Sequence, residues 1–499
     1  MNAQVSPAAR RDVLRLPLLG RALKWRWGRL LLQVPLLALA LLLVYDGFTG
    51  SALAAQNLAT VLPWVHYRGV IVLALLLAGN LFCMGCPFTL PRTLAKRLSS
   101  RGPRFPRLLR NKWLALANLL LLFFVYEWLD LWASPLLTAW LIVTYFVAAF
   151  ALEALFSESP FCKYVCPLGT FNFVYSALSP LQITTRSHDV CRTCVGKECL
   201  NGSYSAAPLI VIDQIGGDGQ PTATHTNGPR GTLGCGTQLF VPQIKSNMDC
   251  IFCLDCVRAC PHDNVALAGR APGAELTRAD ALPKRWDMTL LLVALAFLGV
   301  VNAFGMVPPV YDLLQSIGQP LVALGWNAAA AEALGLLLVL LGGGVALPAL
   351  LTLAAASLSR ALGQNALALR ETAAAFAPAF VPVGLGIWAA HYSFHFLVGF
   401  WTVIPVFQKF LADHGATITP DWSWGGVTDM ALVGLVQGAA LLAGFAASGY
   451  LAQRTAMRLY RRRAPLAMLP WLALILLLAL AALWIFSLPM EMRGNVLFG

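Results

Sequence analysis

The sequence predicts a mainly α-helical, polytopic membrane protein with one polar, cysteine-rich insert. Three observations predict it. Of 499 residues, 58% are hydrophobic and only 12% charged, and the mean hydropathy is +0.68, an apolar surplus beyond what a soluble core of this length needs. Apolar runs near the roughly 20 residues that cross a bilayer recur along the chain. Between the fourth and fifth run lies the one polar stretch large enough to be a soluble domain.

In order, residues 1–156 form an amino-terminal membrane block with spans near 31–48, 67–86, 113–131 and 135–156. Residues 157–286 form the insert. Residues 287–499 form a second block with spans near 287–307, 330–354, 377–401, 430–452 and 465–487, which makes about nine in all. Within the insert, GGDGQPTATHTNGPRGTLG (216–234) reads as an irregular loop.

The formal charge of +13 points to topology, with no nucleic acid among the expected partners. If residues 1–30 are cytoplasmic, that face receives seven Lys/Arg there, eight in 91–112, eleven in 157–286, two in 356–371 and five in 453–463. The opposite face, span edges included, receives Arg68, Lys409 and Arg493. The positive-inside rule then places the amino terminus and the insert in the cytoplasm and the carboxyl terminus in the periplasm, as in a bacterial inner membrane. Residues 31–55, with ALAAQ (52–56) as the possible cleavage site, also fit a secretory leader, whose removal would leave the next span's orientation unchanged.

All twelve cysteines lie between positions 83 and 260. In a reducing compartment, such clustering points to metal or redox chemistry. The run CIFCLDCVRACPHDN (250–264) places Cys250, Cys253, Cys256 and Cys260 at the C-x2-C-x2-C-x3-C-P spacing of a cubane iron–sulfur site, with zinc the rival. A partner group is CRTCVGKEC (Cys191, Cys194, Cys199), followed by Cys235. In two-cluster ferredoxins the last cysteine of each run serves the other cluster. That rule predicts one [4Fe–4S] cluster on Cys191, Cys194, Cys199 and Cys260 and a second on Cys250, Cys253, Cys256 and Cys235, making the insert a two-cluster ferredoxin-like domain. The gap before Cys199 and Gly236 in place of a proline depart from the pattern.

Four cysteines remain, in CMGCPF (Cys83, Cys86) and CKYVCPLG (Cys162, Cys166). Each pair ends a span on the expected cytoplasmic side and finishes in Cys-Pro. They are candidates for a third metal or cluster site or a thiol relay, against the plainer reading of ordinary thiols or a reversible disulfide.

Through these Cys-Pro span ends and paired cysteine motifs, residues 65–265 resemble the bacterial membrane polyferredoxins of the NapH, NosR and CcoG kind. The resemblance implies electron transfer between a membrane-linked donor and an acceptor. The expected function is passage of electrons between cytoplasmic [4Fe–4S] clusters and the quinone pool or a redox partner protein. The alternative is an assembly factor that reduces copper or another metal cofactor for a respiratory enzyme. The last five spans lie outside the resemblance and leave room for a third class, a transporter with a redox regulatory domain.

WAAHYSFHFLVGF places His391 and His395 one turn apart on one helical face, inside an apolar run. Imidazoles at such depth are functional-site candidates. The pair, with His66 as a conceivable opposite ligand, fits a quinone or haem site, or plain interhelical hydrogen bonding. His188, His225, His262 and His414 read as solvated. Glu127 and Asp130, near the outer edge of a span, and Glu153 read as snorkelling or capping groups more than as a proton relay.

Overall fold

The computed structural model of the chain describes residues 11–92, 95, 102–203, 231–364, 366–425 and 429–490. Residues 216–230 of the Gly/Thr-rich loop, His225 and Arg493 lie outside the described residues. The protein is mainly helical, and seven of its helical stretches are long and apolar enough to cross a membrane. In chain order the helices that matter here are α1 (Leu30–Thr49), α2 (Leu58–Ala78), α3 (Trp113–Trp128), α4 (Pro135–Leu155), α5 (Trp286–Phe304), α6 (Ala328–Gly363), α7 (Leu369–Val398), α8 (Met430–Tyr460) and α9 (Ala464–Ser487). α3 is shorter than a full crossing, and α8 with α9 makes up the single stretch Met430–Ser487.

Local chemistry sets these boundaries. α3 stops three residues before the expected 131, because Asp130 turns the chain at φ 45° and Ser134 then caps α4 through the Leu137 amide. α8 runs to Tyr460, past the expected 452, and reverses where Arg461 takes φ 48°, so that α9 folds back along it. α2 contains a π-helical segment at Leu62–Tyr67, where Pro63 lacks an amide to continue the ladder. Two amphipathic helices that periodicity did not single out, Pro308–Ala323 and Val403–Asp413, follow the ends of α5 and α7.

The insert is closed by a two-stranded antiparallel sheet, β1 (Leu181–Thr185) on β2 (Val265–Gly269), with Ile183 opposite Leu267. The amino-terminal segment joins it. Asp12 accepts from the Leu267 amide at 3.2 Å and from Arg186 at 2.9 Å, and Lys24 pairs with Asp263 at 3.2 Å. The amino terminus and the insert are therefore on the same side of the helical assembly. At the inner end of α2, Gly79 takes φ 65° and meets the insert so closely that a Cβ would lie 2.6 Å from Ser179 Oγ, which leaves glycine as the fitting residue.

Candidate functional site

All twelve cysteines are free thiols. By chain position and contact they fall into three sets: Cys191, Cys194 and Cys199 with Cys260, Asn264 bonding both Cys191 and Cys260; Cys250, Cys253 and Cys256 with Cys235, whose neighbour Gly236 packs on the Arg92 that pairs with Asp255; and Cys83 and Cys86 with Cys162 and Cys166, where Asn172 of the helix that Cys166 caps bonds Cys83. The sets also touch one another. Cys199 and Cys256 share one buried apolar cluster, with Cys250 and Cys260 packed against it, and Asn80, three residues before Cys83, donates to the Cys250 carbonyl at 2.6 Å.

The backbone around the first two sets is bent to present donors. Asp249, Phe252, Leu254 and Asp263 all take φ between 44° and 66°, a left-handed conformation costing roughly 1–2 kcal/mol per non-glycine residue unless its surroundings enforce it. The sulfurs receive N–H groups in return. The Asn264 side chain donates to Cys191 at 3.2 Å, the Asn264 amide to Cys260 at 3.4 Å and the Leu239 amide to Cys235 at 3.3 Å.

Burial pushes the Cys199 thiol up to about 11 and Cys253 to about 12, so these groups ionise near neutrality only when a metal displaces the proton. Among the described residues, no three His, Cys, Asp or Glu side chains converge tightly enough to hold one metal ion. The sets of four are all thiol, a donor set that suits zinc as well as an iron–sulfur cluster. A cubane keeps its thiolates further apart, because its irons and sulfides stand between them. The donor chemistry, all thiol with N–H support, fits that group.

A charged rim surrounds the second set. Burial would raise the Asp255 carboxyl, but Arg29, Arg92 and Arg258, at 3.6, 3.3 and 2.6 Å, hold it below its ordinary value. Asp249, next to Cys250, pairs with Lys112 at the start of α3 and lies 3.9 Å from Lys163. Glu153 is buried at the inner end of α4, 3.8 Å from Arg92 and accepting from Ser159 at 2.9 Å, so it is an ion-pair anchor. The glycine in place of proline after Cys235 now has a cause. A Cβ on Gly236 would collide with the Arg92 guanidinium, and the Gly236 carbonyl accepts from the Ser159 amide at 2.9 Å.

The two Cys-Pro motifs fold alike. Cys86 and Cys166 adopt extended backbone before proline, at ψ 122° and 114°, and the proline opens the next helical turn. Cys166 Sγ accepts from the Gly169 amide at 3.2 Å, and Asn172 Nδ2, on the short helix Pro167–Tyr175, donates to Cys83 Sγ at 3.2 Å. Asn80 then bridges outward, donating to the Cys250 carbonyl at 2.6 Å and to Ser176 at 3.2 Å.

The histidines are arranged differently. His391 and His395 are fully buried on α7 with ring centroids 5.4 Å apart, and His391 Nε2 lies 3.1 Å from Met306 Sδ. His66 is on α2, with Nδ1 3.2 Å from the Val61 carbonyl and Nε2 3.0 Å from the Phe400 carbonyl, so both its nitrogens face backbone oxygens. His188, His262 and His414 are exposed. Glu127 and Asp130 border a small cavity together with Glu332.

An apolar cavity of about 460 Å³ lies inside the first membrane block. Its walls come from α1 to α4, the helix Pro167–Tyr175 and Tyr392 of α7; His66 borders it, whereas His391 and His395 do not. Asn80, Asn172, Tyr67 and Tyr145 were not singled out from sequence, although an asparagine inside or at the end of an apolar run is a usable signal. No family model, curated protein or solved structure matches this chain.

Proposed function

We propose that this chain is an inner-membrane iron–sulfur protein that passes electrons between a cytoplasmic two-cluster domain and the membrane, where the quinone pool or a redox partner protein exchanges them. Cys191, Cys194, Cys199 and Cys260 would hold one [4Fe–4S] cluster, and Cys235, Cys250, Cys253 and Cys256 the other. Cys83, Cys86, Cys162 and Cys166 would form a third metal or cluster site at the membrane face. Each cluster supplies reversible one-electron storage, tuned by N–H···S bonds, nearby charge and burial.

The observation that carries this reading is the grouping of the thiols. Asn264 supports the crosswise grouping that the ferredoxin rule draws from spacing, its amide donating to Cys260 at 3.4 Å and its side chain to Cys191 of the first run at 3.2 Å, and Gly236, next to Cys235, packs on the Arg92 that pairs with Asp255 beside Cys256. Asn80, between the end of α2 and Cys83, donates to the Cys250 carbonyl at 2.6 Å and so joins the insert to the first membrane block. Nine crossings follow if α3 spans and α8 and α9 cross separately, and the arginines at 461–463 then form an inner turn beside the insert.

The test is an iron and acid-labile sulfide count with EPR of the dithionite-reduced, anaerobically purified protein. Two clusters require about eight iron atoms per chain, and about twelve would add the third site. A Cys256→Ala variant is expected to lose about four. A reconstituted parent holding only about four would overturn the two-cluster reading.

A further inference from the structure

The cavity in the first membrane block combines three properties. Its lining is mostly apolar and aromatic, including Phe82, Phe123 and Phe171. It reaches the surface that would face lipid, because the lining residues Leu39 and Val70 are 38% and 48% exposed. It also gathers buried polar atoms that find no hydrogen-bond partner among the described residues: the hydroxyls of Tyr67, Tyr126 and Tyr145 and the Oδ1 of Asn172.

Orphaned polar groups in an apolar setting cost about 1–3 kcal/mol each, so four of them, on residues that line one cavity from four different helices, describe a missing complement. An acyl chain offers them nothing. A flat ring bearing oxygens at both ends does: its carbonyls accept from tyrosine hydroxyls, and the reduced form's hydroxyls can donate to Asn172 Oδ1. Arg68, 8% exposed, adds a cation whose guanidinium sits 5.1, 4.8 and 5.5 Å from the rings of Trp64, Tyr126 and Tyr392. The inner end of the cavity borders the third cysteine set. Phe82, Pro87 and Pro167, chain neighbours of Cys83, Cys86 and Cys166, line it, and the lining Asn172 donates to Cys83 Sγ at 3.2 Å.

We propose that this cavity is the binding site for a membrane quinone, in either oxidation state, with Tyr67, Tyr145 and Asn172 as its polar anchors and the aromatic walls as its ring slot. The volume falls within the roughly 300–1,000 Å³ usual for small-molecule pockets. This moves the quinone site from the expected pair His391 and His395, which do not border the cavity, to the residues beside the Cys-Pro motifs. The inference rests on the electron-transfer reading for its choice of an electron carrier, and its test needs no electron transfer.

The test is equilibrium binding of decylubiquinone to the purified full-length chain, followed by quenching of tryptophan fluorescence, with iron content measured on the same samples. Saturable binding is expected in the parent. Tyr67→Phe and Tyr145→Phe should each weaken it roughly five- to tenfold by removing one donor. Leu122→Trp, which fills the cavity from α3, should abolish it, and a His391→Ala/His395→Ala double variant should bind as the parent does. Unfolding midpoints matching the parent's exclude misfolding as the cause of a loss. Binding that survives Leu122→Trp and disappears in the double histidine variant would overturn the assignment. So would a parent with full iron content and no saturable binding, which leaves the iron–sulfur reading standing and the cavity to lipid chains. Tyrosine-dependent binding in protein without iron–sulfur clusters would instead keep this site and sink the reading above.

Discussion

The two membrane blocks are built from similarly greasy helices yet differ at their centres. In the second block, 78% of the hydrophobic window is buried in the two central helices α5 and α7, inside a shell of α6 at 17% and the stretch Met430–Ser487 at 33%; α1, α2 and α4 of the first block, at 28%, 39% and 22%, resemble that shell. Trp388 and Trp471 are fully buried at the centre of the second block, and Trp388 Nε1 donates to the Leu295 carbonyl at 2.9 Å. Ser448 Oγ accepts from the Val383 amide at 2.8 Å, and Ser359 Oγ donates to the Ala467 carbonyl at 2.7 Å. The first block instead keeps a hollow and leaves tyrosine hydroxyls around it unmatched. The lesson is that apolar content alone does not distinguish a scaffold from a site in a membrane. The distinction lies in where unmatched buried polar atoms gather: the tyrosine hydroxyls belong to residues that border one cavity, whereas Trp471 and Thr352 of the second block, whose Nε1 and Oγ1 also lack a partner among the described residues, do not border it.

The largest expected effect concerns how the two blocks are joined. The amino-terminal segment and the insert share Asp12 and Arg186, and the inner end of α8 reaches the insert through Arg458, which donates to the Thr277 carbonyl at 3.3 Å. With the Lys/Arg bias, a reporter inserted within 216–234 should be active only in the cytoplasm, and one fused after residue 499 only outside it. The readout is all or none. An external loop would break the shared inner face and place the thiols where disulfides form.

The next effect measures solidity directly. Trp388→Ala, in the packed block, should destabilise the detergent-solubilised protein by about 3–5 kcal/mol, because the void cannot collapse. Leu122→Ala borders a cavity that already exists and should cost clearly less, on the order of 1–2 kcal/mol. Thermal unfolding of the two variants side by side checks the comparison. Equal losses would mean that the first block is as tightly packed as the second.

Much of this architecture is legible in the sequence, for identifiable reasons. Span positions follow from hydropathy, since every buried backbone group in lipid must be satisfied within a helix. The expected grouping of Cys260 with Cys191, Cys194 and Cys199 comes from the ferredoxin rule applied to the two runs, and the bonds of Asn264 to Cys191 and Cys260 are in keeping with it. The cavity was not legible. Tyr67, Tyr145 and Asn172 are far apart in sequence and each sits in or beside an ordinary apolar run, so only the packing of α2, α4 and the helix Pro167–Tyr175 brings them together. His391 and His395 stood out because one helix carries both, a local signal that says nothing of which wall encloses space. Helix ends were misjudged where backbone conformation decided them, at Asp130 and Arg461. The helices Pro308–Ala323 and Val403–Asp413 were missed because both lie outside the long apolar runs.

The smallest effect tests how unequally the insert is tied to the two blocks. On the first-block side, Asn80 is fully buried and its Nδ2 joins the Cys250 carbonyl to Ser176. Asn80→Ala leaves that carbonyl without its donor in a dry interface, which should cost about 1–3 kcal/mol and loosen the loop that carries Cys250. On the second-block side, the Arg458 contact with Thr277 is exposed at 3.3 Å, and water can replace it. Arg458→Ala should therefore shift stability by less than about 1 kcal/mol. Hydrogen exchange at 250–256 separates the two cases, with faster exchange expected in Asn80→Ala and an unchanged profile in Arg458→Ala. If Arg458→Ala loosened 250–256 as much as Asn80→Ala did, the insert would be held by both blocks alike. The second block would then act on the cysteine loops directly, beyond enclosing α7 and presenting Tyr392 to the cavity.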